Sequence, residues 1–220
     1  MKNVIVLEKT GGKPDISVIL LHGLGASAND FQEIADYLQR NCSQKIRFIL
    51  PNANEIPVTI NNSIKMPAWY DITGNELIDR QDEIGINNSF FEIKKLIEKE
   101  KDNGVRYEKI FLGGFSQGGA MALHVGLKLN YPLSGIICLS GYLLLSRKFK
   151  NEISGRVSET PIFMGHGKDD EVVKYEWGVN TRQILESFNY KVIWKDYEGL
   201  AHYINSQEMA HLSEFINQNI

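Results

Sequence analysis

Short runs of apolar residues alternate along this chain with longer segments in which apolar residues recur every three or four positions. Each short run is apolar almost throughout, which predicts a strand buried on both faces of a sheet rather than a half-exposed one. The predicted strands cover residues 16–21, 47–50, 110–112, 136–139, 162–164 and 192–194.

The longer segments predict helices between these strands. Phe31, Ile34, Ala35 and Leu38 repeat at the spacing of one helix face, so a helix is expected around them. The other predicted helices cover residues 84–101, 117–129, 179–187 and 206–217. Buried strands that alternate with helices predict an α/β fold with a mostly parallel central sheet and helices on both faces.

The length and composition are those of one globular domain. The chain has 220 residues, of which 43% are apolar and 23% charged, close to the averages for globular proteins. We therefore expect a single domain over residues 1–220. Residues 51–80 contain no long predicted element, and a long irregular stretch in a compact domain is often functional, so this segment is expected to be a loop or lid.

Charge and cysteine content narrow the function classes. The net charge is −3, and the lysines of residues 94–101 alternate with glutamates, which indicates a solvated helix face rather than a nucleic-acid surface. No apolar run approaches the length of a membrane span. Two cysteines do not make a disulfide framework, and no signal peptide is visible, so a cytoplasmic protein is expected.

The strongest motif is Gly-Phe-Ser-Gln-Gly at residues 114–118, between a predicted strand and a predicted helix. This context is that of a nucleophile elbow, in which a sharp turn exposes the Ser116 hydroxyl and the small glycines let the turn close. The helix that follows would direct free backbone N–H groups, first that of Gln117, at a developing oxyanion. The alternative interpretation is a glycine-rich turn with an incidental serine.

The partners of a serine nucleophile are expected in the order acid, then histidine. Of the five histidines, only His202 lies on a loop after a late strand, whereas His124 and His211 fall within predicted helices. The acid should follow the strand at 162–164, where Asp169, Asp170 and Glu171 are adjacent. The residues alone do not separate these carboxylates.

A second oxyanion donor is expected after the first parallel strand. Residues 22–25 read His-Gly-Leu-Gly, and the backbone N–H of Leu24 is the predicted donor, the alternative being a plain strand-to-helix turn. Glu208 and His211 are spaced as i,i+3, but no second such pair exists, so we expect no metal site and no cofactor.

Together these motifs identify a resemblance that covers nearly the whole chain. The segments that carry it are residues 20–25, 51–53, 56–61, 66–72, 114–119, 139–142 and 166–170. The sequence resembles the bacterial carboxylesterase/phospholipase group of α/β-hydrolases, which includes acyl-protein thioesterases.

The resemblance implies an α/β-hydrolase fold, Asp170 as the acid, and a Ser116–His202–Asp170 triad with the N–H groups of Leu24 and Gln117 as oxyanion donors. It also implies an acyl-binding surface around Trp69, for which we expect the substrate contacts to be Ile64, Met66, Trp69 and Leu143. Glu171 stands where the family often has proline, a difference that bears on substrate preference.

The expected activity is hydrolysis of short-to-medium, and also long, acyl esters and thioesters through an acyl-enzyme. The alternatives are a lysophospholipase, or a non-catalytic binding protein on the same fold. The expected partners are a small acyl ester, a lipid or an acylated protein, with no nucleic acid. Exposed apolar residues suggest transient membrane contact, and we expect a monomer or weak homodimer.

Overall fold

The computed structural model describes residues 3–8, 13–74, 77, 81–152 and 159–220. Its strands are β1 (Val4–Glu8), β2 (Ile16–Leu21), β3 (Ile46–Pro51), β4 (Glu55–Val58), β5 (Ile64–Pro67), β6 (Ile110–Phe115), β7 (Gly135–Leu139), β8 (Ile162–Gly167) and β9 (Val192–Tyr197). Its α-helices are α1 (Gln32–Asn41), α2 (Glu83–Asp102), α3 (Gln117–Lys128), α4 (Ser146–Glu152), α5 (Tyr175–Ser187) and α6 (Ser206–Gln218).

Seven strands form one sheet in the order β1-β3-β2-β6-β7-β8-β9. β1 runs antiparallel to β3, and the other neighbouring pairs of this sheet are parallel. β4 and β5 form a separate antiparallel hairpin. The predicted mostly parallel sheet is therefore confirmed.

Alternate residues of the central strands bury against different helices, because successive side chains of a strand point to opposite faces. Val18 and Leu20 pack with α1 and α6, whereas Ile19 and Leu21 pack with α2 and α3. On the face of the sheet that α2 and α3 cover, Leu185 of α5 belongs to the same apolar cluster as residues of α3. Helices thus cover both faces of the sheet, as the sequence predicts.

Several elements differ from the prediction. β1 was not predicted, because it is a short edge strand with no fully buried position. α5 begins at Tyr175, four residues before the predicted start, and its first turn contains Gly178, a poor helix former. A Cβ at Gly178 would lie 2.4 Å from Nδ1 of His166, so tertiary packing explains the glycine.

The expected irregular segment 51–80 is more ordered than its sequence indicates. It contains the β4–β5 hairpin and a 3₁₀ turn at Thr59–Asn61. Asp71 fixes this turn by accepting hydrogen bonds from the backbone N–H of Thr59 at 2.7 Å and from its hydroxyl at 2.6 Å. Residues 75, 76 and 78–80 of the predicted lid lie outside the described residues.

Candidate active site

Ser116 lies at the turn between β6 and α3, with φ 56° and ψ −122°. These angles belong to a region that L-residues rarely adopt and that stores backbone strain. The neighbouring sheet holds the turn, since the Ser116 N–H donates to the Leu139 carbonyl at 2.8 Å.

The two glycines of the motif allow the close approach that the turn needs. A Cβ on Gly114 would lie 2.4 Å from the carbonyl carbon of Gly118, and one on Gly118 would lie 2.0 Å from the carbonyl oxygen of Leu21. Any side chain at either position would therefore collide with backbone. The pattern of small residues is a packing requirement of the elbow.

The three predicted triad side chains meet in one hydrogen-bonded chain. Nε2 of His202 lies 2.9 Å from Oγ of Ser116, and Nδ1 of His202 lies 2.7 Å from Oδ2 of Asp170. The Phe115 ring packs against the imidazole, with 4.6 Å between ring centroids. The structure thus brings together Ser116, His202 and Asp170.

Asp170, and not Asp169, is the carboxylate that meets His202. The Asp170 side chain is buried, whereas Asp169 is exposed. The second carboxylate oxygen of Asp170, Oδ1, accepts hydrogen bonds from the backbone N–H groups of Val172 at 3.0 Å and Val173 at 2.9 Å. Burial alone would raise the pKa of Asp170, but the hydrogen bonds from His202 and from Val173 outweigh it and hold that pKa below its usual value.

Backbone hydrogen bonds join the loop that carries Asp170 to the loop that carries His202. The Asp169 N–H donates to the Leu200 carbonyl at 3.0 Å, and the Lys168 N–H donates to the Tyr197 carbonyl at 2.9 Å. A Cβ on Gly167 would lie 2.1 Å from the Leu200 oxygen, so glycine lets the loops touch. This fixed spacing sets the distance between Asp170 and His202.

A second histidine, His166, supports Asp170 and was missed in the sequence. Its Nε2 donates to the Val173 carbonyl at 2.8 Å and lies 3.6 Å from Oδ2 of Asp170. Burial lowers the pKa of His166, which favours the neutral ring. Its position four residues before Asp170 was visible in the sequence, but only the fold shows that the intervening loop turns back on the ring.

His22 organises the loop that carries Leu24. Nδ1 of His22 donates to the Gly23 carbonyl at 2.7 Å, and Nε2 accepts the Ala53 N–H at 3.0 Å. Both contacts require the neutral ring, and burial lowers the pKa of His22 accordingly. His22 therefore stabilises the conformation of this loop through both ring nitrogens.

Leu24 and Gln117 line the same cavity as Ser116. The Gln117 N–H is the first of helix α3 and has no acceptor within the helix, so it is available to a ligand. The Gln117 side chain points elsewhere: its carbonyl accepts the Trp69 N–H at 2.9 Å and its amide donates to the Tyr70 carbonyl at 2.8 Å.

The cavity above Ser116 has a volume of about 230 Å³. Its walls are mostly apolar, as expected for a pocket that accepts an acyl chain. The lining residues are Leu24, Ile60, Asn61, Ile72, Leu77, Ser116, Gln117, Tyr142, Val172 and Val173. Six of these residues were not singled out in the sequence for any role at the site: Asn61, Ile72, Leu77, Tyr142, Val172 and Val173.

The four expected substrate contacts, Ile64, Met66, Trp69 and Leu143, are not among the residues that line this cavity. Trp69 is buried, and its indole N–H donates to the His22 carbonyl at 2.8 Å. Leu143 packs in the core beside α3 and α5. Ile64 is exposed on the hairpin, and the sulfur of Met66 lies 3.2 Å from Nδ2 of Asn61. Contact between these four residues and a substrate therefore stays a prediction.

Across the part of the chain that the structure describes, no group of three His, Cys, Asp or Glu side chains is arranged to hold a metal ion. None of the helices in that part combines the length and apolar character needed to cross a membrane.

Comparison with known proteins finds relatives over nearly the whole chain. Residues 2–220 match the model of the Phospholipase/Carboxylesterase family. Acyl-protein thioesterase 1 of Neurospora crassa is 40% identical over 215 residues, covering 93% of this chain and 86% of the relative. Acyl-protein thioesterase 1 of Saccharomyces cerevisiae is 35% identical over 214 residues, covering 93% and 92%.

The fold is also that of a solved relative. The crystal structure of Zea mays acyl-protein thioesterase 2 superposes with a TM-score of 0.83 at 26% identity, covering 99% of this chain and 98% of that one. The expected carboxylesterase/phospholipase resemblance is confirmed. Its bacterial character is not supported, because the two thioesterase 1 relatives are fungal.

Proposed function

The chain belongs to the phospholipase/carboxylesterase family and is a hydrolase of acyl esters and acyl thioesters; we propose that Ser116, His202 and Asp170 carry out this hydrolysis. The observation that carries the proposal is the unbroken hydrogen-bonded chain from Oγ of Ser116 through His202 to Asp170. A hydroxyl, an imidazole and a buried carboxylate in this order form an activated nucleophile.

In the first step, Oγ of Ser116 attacks the acyl carbon while Nε2 of His202 takes the hydroxyl proton. Asp170 holds the Nδ1–H tautomer and stabilises the imidazolium that forms. The carbonyl oxygen becomes an oxyanion, for which the backbone N–H groups of Leu24 and Gln117 are the proposed donors. The alcohol or thiol leaves with the proton from His202.

In the second step, water replaces the leaving group. His202 takes a proton from this water, which attacks the acyl carbon attached to Ser116. The same oxyanion donors stabilise the second tetrahedral intermediate, and its collapse releases the carboxylic acid. The proton returns from His202 to Oγ, which restores the starting state.

The cavity supports an acyl chain as the recognised part of the substrate. Ile72, Tyr142 and Val173 offer apolar wall beside the nucleophile, and Ile60 and Val172 lie partly exposed at its rim. An exposed apolar rim fits a lipid or a lipidated protein better than a small polar ester. We propose acylated proteins and acyl lipids as substrates, with lysophospholipids as the second candidate class.

A substrate panel with three proteins tests the proposal. The wild type, Ser116→Ala and the control Ser187→Ala, an exposed serine at the end of α5, are assayed on p-nitrophenyl esters from acetate to palmitate. A palmitoyl thioester and a lysophospholipid complete the panel. Ser116→Ala should lose activity by orders of magnitude and the control should not.

Labelling by a fluorophosphonate separates the enzyme from a binding protein on this fold. The wild type should be labelled at Ser116, and Ser116→Ala should not. An unlabelled wild type that still binds the ligand would favour the binding protein. Unchanged ester turnover by Ser116→Ala would refute the assignment of the nucleophile.

We further propose a cytoplasmic monomer or weak homodimer that contacts membranes transiently. Both cysteines are free and buried, which suits a reducing compartment. Sedimentation over a range of protein concentrations, and co-sedimentation with phosphatidylcholine vesicles, would test the oligomeric state and the membrane contact.

A further inference from the structure

Glu208 is a buried carboxyl group that the proposed mechanism does not use. It is 1% exposed, and neither side-chain oxygen has a hydrogen-bond partner among the described residues. It occupies the third position of α6, where its backbone N–H donates to Oδ1 of Asn205 at 2.8 Å. A glutamate at this position often turns back to cap its own helix, but the Glu208 side chain points into the protein instead.

The carboxyl group lies beneath the strand that leads to the acid loop. A Cβ on Gly165 would lie 2.1 Å from Oε1 of Glu208, so the missing side chain in β8 provides the space that the carboxyl fills. From Gly165 the chain continues through Gly167, whose carbonyl accepts the Asp170 N–H at 3.4 Å. Glu208 therefore packs at the base of the loop that aligns Asp170 with His202.

The charges around Glu208 oppose its ionisation. Burial, and then the nearby Asp170 carboxylate, raise the pKa of Glu208 to about 8. The helix N-terminus favours an anion, but it does not replace the absent hydrogen bonds. The other titratable groups that face it are Cys138 on β7 and Tyr197 on β9, which in turn contacts His211 of α6 at 3.1 Å.

Neither neighbour titrates in the same range. Burial raises the pKa of Cys138 to about 12 and raises that of Tyr197 well above its usual value. Glu208 is thus the group of this set that loses a proton just above neutral pH.

We propose that Glu208 is a positioning residue of the triad that works as a neutral carboxylic acid. Its proton keeps a second negative charge away from Asp170, while its bulk supports β8 beneath the acid loop. Loss of the proton gives Glu208 a negative charge, so that two buried side chains, Glu208 and Asp170, are then carboxylates of like charge in the same part of the interior. The repulsion displaces Asp170 from His202, so hydrolysis fails on the alkaline side. This inference rests on the proposed function of the triad.

The pH profile of kcat/KM tests the proposal through a response that a merely structural residue would not show. Hydrolysis of a short p-nitrophenyl ester is followed from pH 6 to 10, with the uncatalysed rate subtracted at each pH. If activity belongs to the protonated form, the wild-type value falls roughly tenfold between pH 7 and pH 9. In Glu208→Gln, the ratio of the two values should approach one.

The matched control is Glu214→Gln, which removes one exposed carboxylate from the same helix and should retain the wild-type fall. An alkaline fall that persists in Glu208→Gln, or that is absent from the wild type, overturns the proposal. If Glu208→Gln does not fold, Glu208→Asp replaces it in the test. The shorter side chain withdraws the carboxyl group from Gly165, so the pH at which kcat/KM begins to fall should change. An unchanged pH for this fall overturns the proposal.

A stability measurement separates this inference from the proposed function, because it needs no catalysis. The folded state holds the Glu208 proton up to about pH 8, whereas the ordinary value is 4.5. The stability linked to this proton is complete below the ordinary value and is lost as the pH rises towards 8. The urea midpoint of Glu208→Gln should therefore gain on the wild type from pH 5 to 8 and then level off. If the difference in urea midpoint between Glu208→Gln and the wild type does not change with pH, Glu208 does not titrate as proposed, even if the triad is correct. If the difference changes with pH as expected but the wild type is inactive, only the proposed function is refuted.

Discussion

Gln117 accepts a hydrogen bond of 2.9 Å through its side-chain carbonyl from the backbone N–H of Trp69. The backbone N–H of Gln117 faces the cavity, while its side chain holds the segment that contains Trp69 in place. The Gln117 amide completes the contact by donating to the Tyr70 carbonyl at 2.8 Å. One side chain therefore couples the start of α3 to the buried backbone of Trp69 and Tyr70.

Gln117→Ala should lower both stability and kcat, although it leaves the backbone donor in place. Two buried backbone groups lose their partners, which costs about 1–3 kcal/mol each in the free energy of unfolding. Urea unfolding and ester turnover measure the two effects. Gln117→Glu is the informative control, since it keeps the acceptor for Trp69 but cannot donate to Tyr70. Unchanged stability in Gln117→Ala would contradict the coupling.

Asp170→Asn and Asp169→Asn should differ sharply. An amide at position 170 no longer fixes the required tautomer of His202, so kcat should fall by roughly 10⁴-fold. Asp169 is exposed and meets His202 through no side-chain contact, so its variant should keep wild-type activity. Steady-state kinetics on one ester measures both. Equal losses in the two variants would show that the acid has been assigned to the wrong residue.

Replacement of Ser116 should reveal the strain of the elbow. Glycine adopts φ 56° without a steric penalty, whereas alanine keeps the Cβ that disfavours it. Ser116→Gly should therefore be more stable than Ser116→Ala by about 1–2 kcal/mol, even though both are inactive. Denaturant unfolding compares the two variants directly. The opposite order of stability would mean that the turn is relaxed.

The hydroxyl groups of Tyr70 and Tyr142 form a buried pair with 2.7 Å between their oxygens. Either single change to phenylalanine leaves a buried hydroxyl without its partner and should cost about 1–3 kcal/mol. Tyr70→Phe/Tyr142→Phe removes both hydroxyls and should cost less than the sum of the single changes. A double-mutant cycle by urea unfolding measures this coupling. Simple additivity would show that the pair contributes no stability of its own.

The sequence was enough to select Ser116, Asp170 and His202, the three side chains that meet in the structure. Ser116 was visible because the elbow requires glycines two residues on either side. His202 followed from chain order and from the exclusion of helical histidines. Asp170 came from family resemblance, because no local signal distinguishes it from Asp169; only the contact between two distant loops does.

The walls of the cavity could not be predicted in this way. Ile72, Tyr142 and Val172 belong to three separate loops, and their approach to one another depends on how the helices pack on the sheet. Trp69 and Leu143 are large and apolar, but the fold uses them to fill its interior. β1 was missed because a half-exposed edge strand carries a weak apolar pattern.

Ser116 and His202, the proposed nucleophile and base, are separated by 86 positions along the chain. Ser116, Asp170 and His202 follow three different strands, β6, β8 and β9. The three side chains align only when these strands are assembled in one sheet. Turnover therefore reports whether the β6–β9 half of the sheet is assembled. The return of chromogenic ester hydrolysis during refolding would therefore report when the last of these strands has joined the sheet. After a protease cut between residues 116 and 202, activity would depend on the two pieces remaining bound to each other.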